Sequence, residues 1–513
     1  MNAAMRSRLC VLLVSVATVT GCATTALQYG RDGLAPVDRN VRAHLGAGQY
    51  GSAYEEALGR DARVRDRLLR ALSVGALGLY ASRTDSSVWA LDRAWALSED
   101  RWSKRISAGL ASAVVNDYVL PYTPGSTERL FIPFYGALSW LSRGDMDDAA
   151  VEARRLAQLL GEASPDSTAG TDGELRGLLH YVAAAVFDAA GDRNAADVAY
   201  RNADRLVQVP VRRDSSLADS LAGDVVVVLE QGFVGHPVPR DETIWVSRGE
   251  LSALRDHRDD RDDRDDRPMR AAGNIRVREG MSVYQPYGAR HGLDLGLTIN
   301  WAEFRDGRDV APSISVAASG TEPTVVRAGG NVSRAVRADF ERGQPARFAR
   351  ALLRAATRTA IYKAAGDQLA KAGDDDRRRE PRNVAGDVRG RTAPTPPAAR
   401  PSGTSPVPER TYDPGKAKDD KKSRDAETAG RVIAGLGLFA LAAASQVNDV
   451  PDLRSWNLLP HDLRVVRLRL RAGEQDVHAI IDGQEVLLGR AVVRAGGVTV
   501  LAQRFFLMPS RVY

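Results

Sequence analysis

Cysteine is nearly absent from this chain of 513 residues: there are two, Cys10 and Cys22, both within the first 22 positions. No disulfide, cysteine-rich zinc site or cysteine nucleophile is therefore open to the body of the chain. Aromatic residues make up only 6%, so cores must be built from Ala, Leu and Val, as in helical arrays. Histidine is scarce too. The seven (His44, His180, His236, His257, His291, His461 and His478) are scattered, and no two stand at a metal-ligand spacing such as H-E-x-x-H. The chain has no G-x-S-x-G elbow, no phosphate loop of the G-x-x-x-x-G-K-[ST] form and no dinucleotide G-x-G-x-x-G after a strand. Neither a catalytic residue nor a metal or cofactor site is expected on these grounds. The basic excess is small, 71 Lys and Arg against 65 Asp and Glu, and does not point to nucleic acid.

What is present begins at the N-terminus. Arg6 and Arg8 precede an almost wholly apolar run from Leu9 to Val19, which closes on Val19-Thr20-Gly21-Cys22. A basic start, an apolar centre too short to span a bilayer, and small residues before a cleavage point make a secretory signal over residues 1–21. Its end resembles a bacterial lipobox, in which the Cys22 sulfur is diacylglycerylated and the signal is cut before it. An ordinary signal peptide with a chance cysteine is the alternative. Each buried acyl methylene is worth about 0.8 kcal/mol, so a lipidated Cys22 would hold the chain on a membrane without crossing it. Ala23 follows, where Asp would favour retention in the inner membrane. The expected location is the outer membrane, lipid-anchored on the periplasmic side.

Residues 22–38 read as a tether. Residues 39–210 are helical, with a repeated signal: Gly, then Ala five residues on, then Ala or Tyr nine residues on. It occurs at Gly48/Ala53/Ala57, Gly144/Ala149/Ala153 and Gly191/Ala196/Tyr200. Gly ends one helix at a turn that needs φ > 0, and the small Ala lets the next helix approach closely. The pattern resembles the tetratricopeptide repeat, although the interval from Gly144 to Gly191 exceeds one repeat length. An ordinary Ala-rich bundle is the alternative, and both are all-α. Aromatics gather at Tyr118, Tyr122, Phe131, Phe134, Tyr135 and Trp140, as a core layer or a ligand groove.

Residues 211–343 turn to β. Val225 to Leu229 reads as a buried strand that ends at Gly232 before Pro237 and Pro239; further candidates are 275–277, 282–284, 295–299, 314–316 and 324–326. The charged insert 255–268, an Arg-Asp-Asp tandem, cannot bury a face and reads as a solvated loop, with a cation site as the alternative. Residues 344–372 form a helix, 373–428 a disordered insert rich in Pro, Arg, Asp and Lys, and 429–447 an apolar Gly/Ala-rich helix. The core of that last helix, Arg431 to Ala444, either packs on the preceding helix or enters the bilayer as a hairpin. Residues 448–513 are β again. Val466 to Arg471 alternates strictly, which predicts one buried face and an exposed basic row of Arg467, Arg469 and Arg471. The expected class is α+β: an N-terminal helical array, then a β-rich region with a packed helical hairpin and a C-terminal antiparallel sheet.

Taken together, the lipobox, the stretch Phe134 to Arg155, the strand Asp224 to Gly232, the helix Pro345 to Lys371, the Gly-rich apolar segment and Asp452-Leu453-Arg454-Ser455-Trp456-Asn457-Leu458-Leu459-Pro460 followed by Arg467-Leu468-Arg469-Leu470 resemble a family of largely uncharacterised Gram-negative outer-membrane lipoproteins with tetratricopeptide-like repeats. The resemblance spans nearly the whole mature chain, apart from the two charged inserts. It implies a protein without a defined active site, some of whose relatives are encoded near lipoproteins that activate penicillin-binding proteins, and hence a link to peptidoglycan synthesis. The expectation is a non-enzymatic scaffold anchored through Cys22, presenting a helical-repeat groove to another envelope protein. Two other classes stay open: a cell-wall or polysaccharide-processing enzyme using carboxylates such as Glu128, Glu152 or Asp188, and a membrane-associated structural component.

Overall fold

The computed structural model describes residues 29–60, 63–107, 121–162, 173–207, 221–246, 295–307, 313–318, 320–352, 354–355, 451–481 and 483–506. The lipobox Val19 to Cys22, the charged insert 255–268, the strand candidates 275–277 and 282–284, the insert 373–428 and the segment Arg431 to Ala444 lie outside the described residues. The chain divides into two units, Met1–Arg354 with Asn448–Tyr513, and Ala355–Val447. Every element below belongs to the first. The helical array and both β-rich stretches thus share one unit, because strands more than 200 residues apart pair directly.

Eight helices form four hairpins: α1 (Pro36–Gly46) with α2 (Tyr50–Leu58), α3 (Arg67–Tyr80) with α4 (Thr84–Ser107), α5 (Ser126–Arg143) with α6 (Met146–Glu162), and α7 (Gly173–Ala189) with α8 (Arg193–Asp204). Gly48, Gly144 and Gly191 all take positive φ, at 71°, 93° and 81°. At each turn the residue after the glycine donates its N–H to the carbonyl four residues before the glycine: Gln49 to His44, Asp145 to Trp140 and Asp192 to Phe187. This closure satisfies carbonyls that the helix end would leave without partners. The second hairpin uses the same turn without glycine. Ser82 has φ 56°, and Arg83 donates to the Gly78 carbonyl at 2.7 Å. Five residues beyond each turn stands a small side chain with no exposed surface: Ala53, Ser87, Ala149 and Ala196.

The start of α5 is closed from two directions. Glu128, in its first turn, accepts the Gly125 N–H at 2.7 Å. Asp339, on a later helix, accepts the Thr127 N–H at 2.6 Å and the Ser126 hydroxyl at 2.8 Å. Carboxylates there also complement the helix dipole. That later helix, α9 (Val332–Arg342), has its own cap in Asn331, whose side chain accepts from the Arg334 N–H.

The strands are β1 (Ala222–Gln231), β2 (His236–Val246), β3 (Leu295–Arg305), β4 (Ile314–Ala318), β5 (Thr324–Val325), β6 (Ala328–Asn331), β7 (Asp462–Arg471), β8 (Gly473–Ile481), β9 (Gln484–Val493) and β10 (Val498–Phe505). They form three sheets, in the orders β10-β1-β7-β6, β2-β3 and β5-β4-β8-β9. In the first sheet β1 pairs parallel with β10 and antiparallel with β7. The C-terminal strands are therefore shared: β7 and β10 flank β1, while β8 and β9 pair antiparallel in the last sheet.

The valine run is buried on both sides because the first sheet is the middle of three layers. Val226 and Val228 join the helical core with Val465 and Leu463. Val225, Val227 and Leu229 join a second core with Leu468 of β7 and with Ile314, Val316 and Val477 from the facing sheet. All five residues from Val225 to Leu229 have no exposed surface, and each such burial is worth about 1.5–3 kcal/mol.

Strand β2 is a departure from the sequence reading, which ended the chain's first strand before Pro237 and Pro239. Both prolines lie inside β2, opposite Phe304 and Ala302 of β3. Two residues apart, they turn their nitrogens to the same edge, where a strand with one partner needs no donor. Arg467 is a second departure. Expected on an exposed basic row, it is 1% exposed, because that face of β7 meets the helices and not solvent. Arg469 and Arg471, nearer the strand end, are exposed. The helix expected over 344–372 is described as helical over 344–352; there Phe348 meets Trp301 edge-on at 6.2 Å.

Candidate functional site

The repeat-turn residues Gly48, Ala53, Gly144, Ala149, Ala153, Gly191 and Ala196 all sit at the hairpin turns or on the tightly packed faces just after them. They shape the array and carry no chemistry themselves. Its inner face bears Tyr50, Tyr80 and Tyr135, and these hydroxyls point at the first sheet. Alternation along β1 places Asp224, Val226, Val228 and Glu230 on the helix-facing side. Glu230 has no exposed surface. It accepts the Tyr80 hydroxyl at 2.6 Å and the Tyr135 hydroxyl at 2.7 Å. Burial pushes its carboxyl pKa up, against the Arg504 charge and the two hydroxyls, which pull it down. Burial also lifts both tyrosines well above the ordinary range.

Arg504 is the register partner of Glu230 on β10 and is 1% exposed. Its guanidinium donates to the Gly232 carbonyl at 2.8 Å, to Leu459 at 3.2 Å and to Leu458. It lies 5.3 Å from the Phe233 ring and 5.1 Å from the Phe506 ring. Tyr50 donates to the Arg504 carbonyl at 2.8 Å.

The opposite end of β1 carries a second buried charge group. Asp224 accepts from Arg467 Nε at 3.0 Å and from Arg469 at 3.2 Å. Arg467 also donates to the Tyr200 hydroxyl at 2.9 Å, which reaches Asp188 at 3.2 Å. The helix-facing β1 residues between these two groups are Val226 and Val228, so α3, α5 and α8 are keyed to the sheet by charge at both ends and by apolar packing between.

The segment 451–461 completes the covering of the array. Glu128 Oε1 accepts the Trp456 N–H at 2.7 Å, while its Oε2 takes the Tyr122 hydroxyl at 2.7 Å. Burial pushes the Glu128 carboxyl up, and those hydrogen bonds oppose the shift. Arg454 forks onto Asp452 with two contacts of 2.8 Å and reaches Asp66 at 3.2 Å. The Trp456 ring lies 5.6 Å from Tyr135. The face of the array that bears Tyr50, Tyr80 and Tyr135 is thus filled by the chain's own β1, β6, β10 and residues 451–461. Of the aromatic cluster, Tyr122, Phe131, Phe134 and Tyr135 are buried in the core and Trp140 is half-buried, while Tyr118 lies outside the described residues.

The carboxylates named for an enzymatic reading each have a structural position. Glu128 pins Trp456 and Asp188 accepts from Tyr200. Glu152 lies against Gly136 of α5, where an added Cβ would come within 3.0 Å of its side chain, and it pairs with Arg155 at 2.5 Å. Burial raises its pKa to about 7 despite Arg155. His180 is core: burial lowers its pKa to about 4. Among the described residues no group of three His, Cys, Asp or Glu side chains could hold a metal ion, and no helix is long and apolar enough to cross a membrane.

Open space is found along the first hairpin, in a cleft of about 1040 Å³ lined by Tyr29, Val37, His44, Tyr54, Glu55, Glu56, Arg60 and Arg83. Aromatic walls with charges of both signs suit a segment of polypeptide better than a small anion. Arg60 is fixed there by Asp38 at 3.0 Å, whereas Glu55 and Arg83 are exposed. Sequence reasoning did not single out this cleft, since none of its residues forms a motif. Comparison with known protein families, curated proteins and solved structures finds no match to this chain.

Proposed function

We propose that this chain is a non-enzymatic scaffold of the Gram-negative envelope, held in the outer membrane by acylated Cys22 and binding another envelope protein in the periplasm. The anchor is supported by the basic start, the short apolar run and the Val19-Thr20-Gly21-Cys22 ending, with Ala23 after it. The observation that carries the binding role is the open cleft on the first hairpin, since the face that bears Tyr50, Tyr80 and Tyr135 is closed by the sheet. The turn spacing supports kinship with tetratricopeptide arrays. Gly48 and Ser82 stand 34 residues apart in the sequence, about the length of one such unit. The resemblance to lipoproteins encoded near activators of penicillin-binding proteins points to a partner in peptidoglycan synthesis.

The test is photocrosslinking in intact cells from Ser52, in the cleft, with Val198 on α8 as the control position. A discrete adduct from Ser52, lost on Glu55→Lys or Arg83→Glu and absent from Val198, is the expected result. The same adducts from both positions would overturn the assignment of the cleft.

A further inference from the structure

An apolar surface at odds with its surroundings lies where the first and second hairpins adjoin. Trp89 is 69% exposed, Val64 66% and Leu58 39%. Trp89 and Leu58 share a crevice of about 210 Å³ with Arg67 and Arg93, and Arg63 precedes Val64. Arg63, Arg67 and Arg93 are all exposed. Trp89 and Arg93 are four residues apart on α4 and lie on one face. Of the acids within one turn of Trp89, Asp85 pairs with Arg143 at 2.9 Å, and Asp92 bears on Glu152 of α6, whose pKa it helps to raise.

We propose that this patch docks on an anionic phospholipid surface, with Trp89 and its apolar neighbours entering the headgroup region and the arginines meeting phosphates. Indole rings settle at the boundary between water and acyl chains. Guanidinium is the side chain best matched to phosphate oxygens. The choice of a membrane over a protein partner comes from the length of chain before the body. Tyr29 already packs on the helical core, and it is the seventh residue after Cys22, so seven Cα-to-Cα steps join the two. Fully extended, they reach about 25 Å. The chain entering the body is then fixed beside the end of α2: Asp38 pairs with Arg60 at 3.0 Å, two residues beyond Leu58. An anchor at Cys22 therefore holds this end of the array against the bilayer. The location of the surface rests on the anchored reading above; its affinity for lipid does not.

The experiment separates the two. The mature chain with Cys22→Ser, which has no acyl group, is sedimented with vesicles of equal parts phosphatidylethanolamine and phosphatidylglycerol, and with phosphatidylcholine vesicles. Binding to the anionic vesicles alone is expected, falling by about tenfold or more in a Trp89→Ala, Arg67→Glu, Arg93→Glu variant with an unchanged circular dichroism spectrum, and weakening as salt is raised. Trp89→Phe should retain most of the binding. No sedimentation with anionic vesicles, or equal sedimentation of the triple variant, would overturn the proposal. Palmitate labelling of Cys22 in cells reads the anchor independently, so loss of one result does not decide the other.

Discussion

Glu230 and Arg504 stand side by side on parallel strands, both buried, yet the carboxylate takes its hydrogen bonds from Tyr80 and Tyr135 while the guanidinium spends its own on backbone carbonyls. The two charges thus make their hydrogen bonds with other groups and are joined through the field between them. Hydrogen bonds to a buried charge are worth about 1.5–3 kcal/mol each. Tyr135→Phe should therefore lower unfolding free energy by about that amount, and Tyr80→Phe likewise. Combining them should be worse than additive, since Glu230 then has neither hydroxyl. Urea unfolding of the two single variants and the double variant measures this.

Asp224 and Arg467 make a sharper case, because Arg467 is the principal donor to a buried carboxylate. Arg467→Met and Asp224→Asn should each cost about 3–5 kcal/mol alone by leaving a buried charge unpaired, whereas the two combined should recover much of the loss. A double-mutant cycle by thermal or denaturant unfolding decides it; equal losses in all three variants would refute the account.

Glu152 gives a pH dependence with a definite sign. Its pKa rises from an ordinary 4.5 in the open chain to about 7 in the fold. A raised carboxyl pKa means that the folded state holds its proton longer. Its stabilising contribution is full below about pH 4.5 and is lost as pH climbs through about 7. Across that window the change amounts to about 3 kcal/mol at most. Glu152→Gln should flatten this part of the stability profile and gain on the native chain as pH rises, as read by urea midpoints between pH 4.5 and 8.

The four turns predict opposite effects for like substitutions. Gly144→Ala forces a Cβ into φ 93° and should cost about 1–2 kcal/mol. Ser82→Gly relieves the same strain at φ 56° and should stabilise by up to about 1 kcal/mol. Thermal unfolding of both variants checks the pair.

Much of the fold was legible in the sequence, and the gaps have physical causes. Periodicity gave β1, β7 and β10, because runs such as Val225 to Leu229 admit few other structures. The turns at Gly48, Gly144 and Gly191 were readable because glycine marks positive φ, and the equivalent turn at Ser82 was not, because serine does not. Strand β2 was hidden by Pro237 and Pro239, and β6 by Gly329 and Gly330, residues that usually end strands. The buried roles of Glu230, Asp224 and Arg467 were illegible for a different reason. A charged residue in an alternating strand reads as solvent-facing until the layer that covers it is known, and that layer comes from elements far away in the chain. The cleft of the first hairpin escaped notice on the same ground, being made by proximity and not by motif.

The parallel pairing of β1 with β10 also sets an order of events in folding. Residues Asp224 to Gln231 align with Val498 to Phe505, so one side of the most apolar strand has no partner until a segment more than 260 residues further along has been made. Pairings this distant form slowly, and an unpaired valine-rich edge invites association with other chains in the meantime. A chain truncated before Val498 should accordingly aggregate and not persist as a smaller folded protein, which makes the arrival of that segment the step on which assembly of the whole first unit waits.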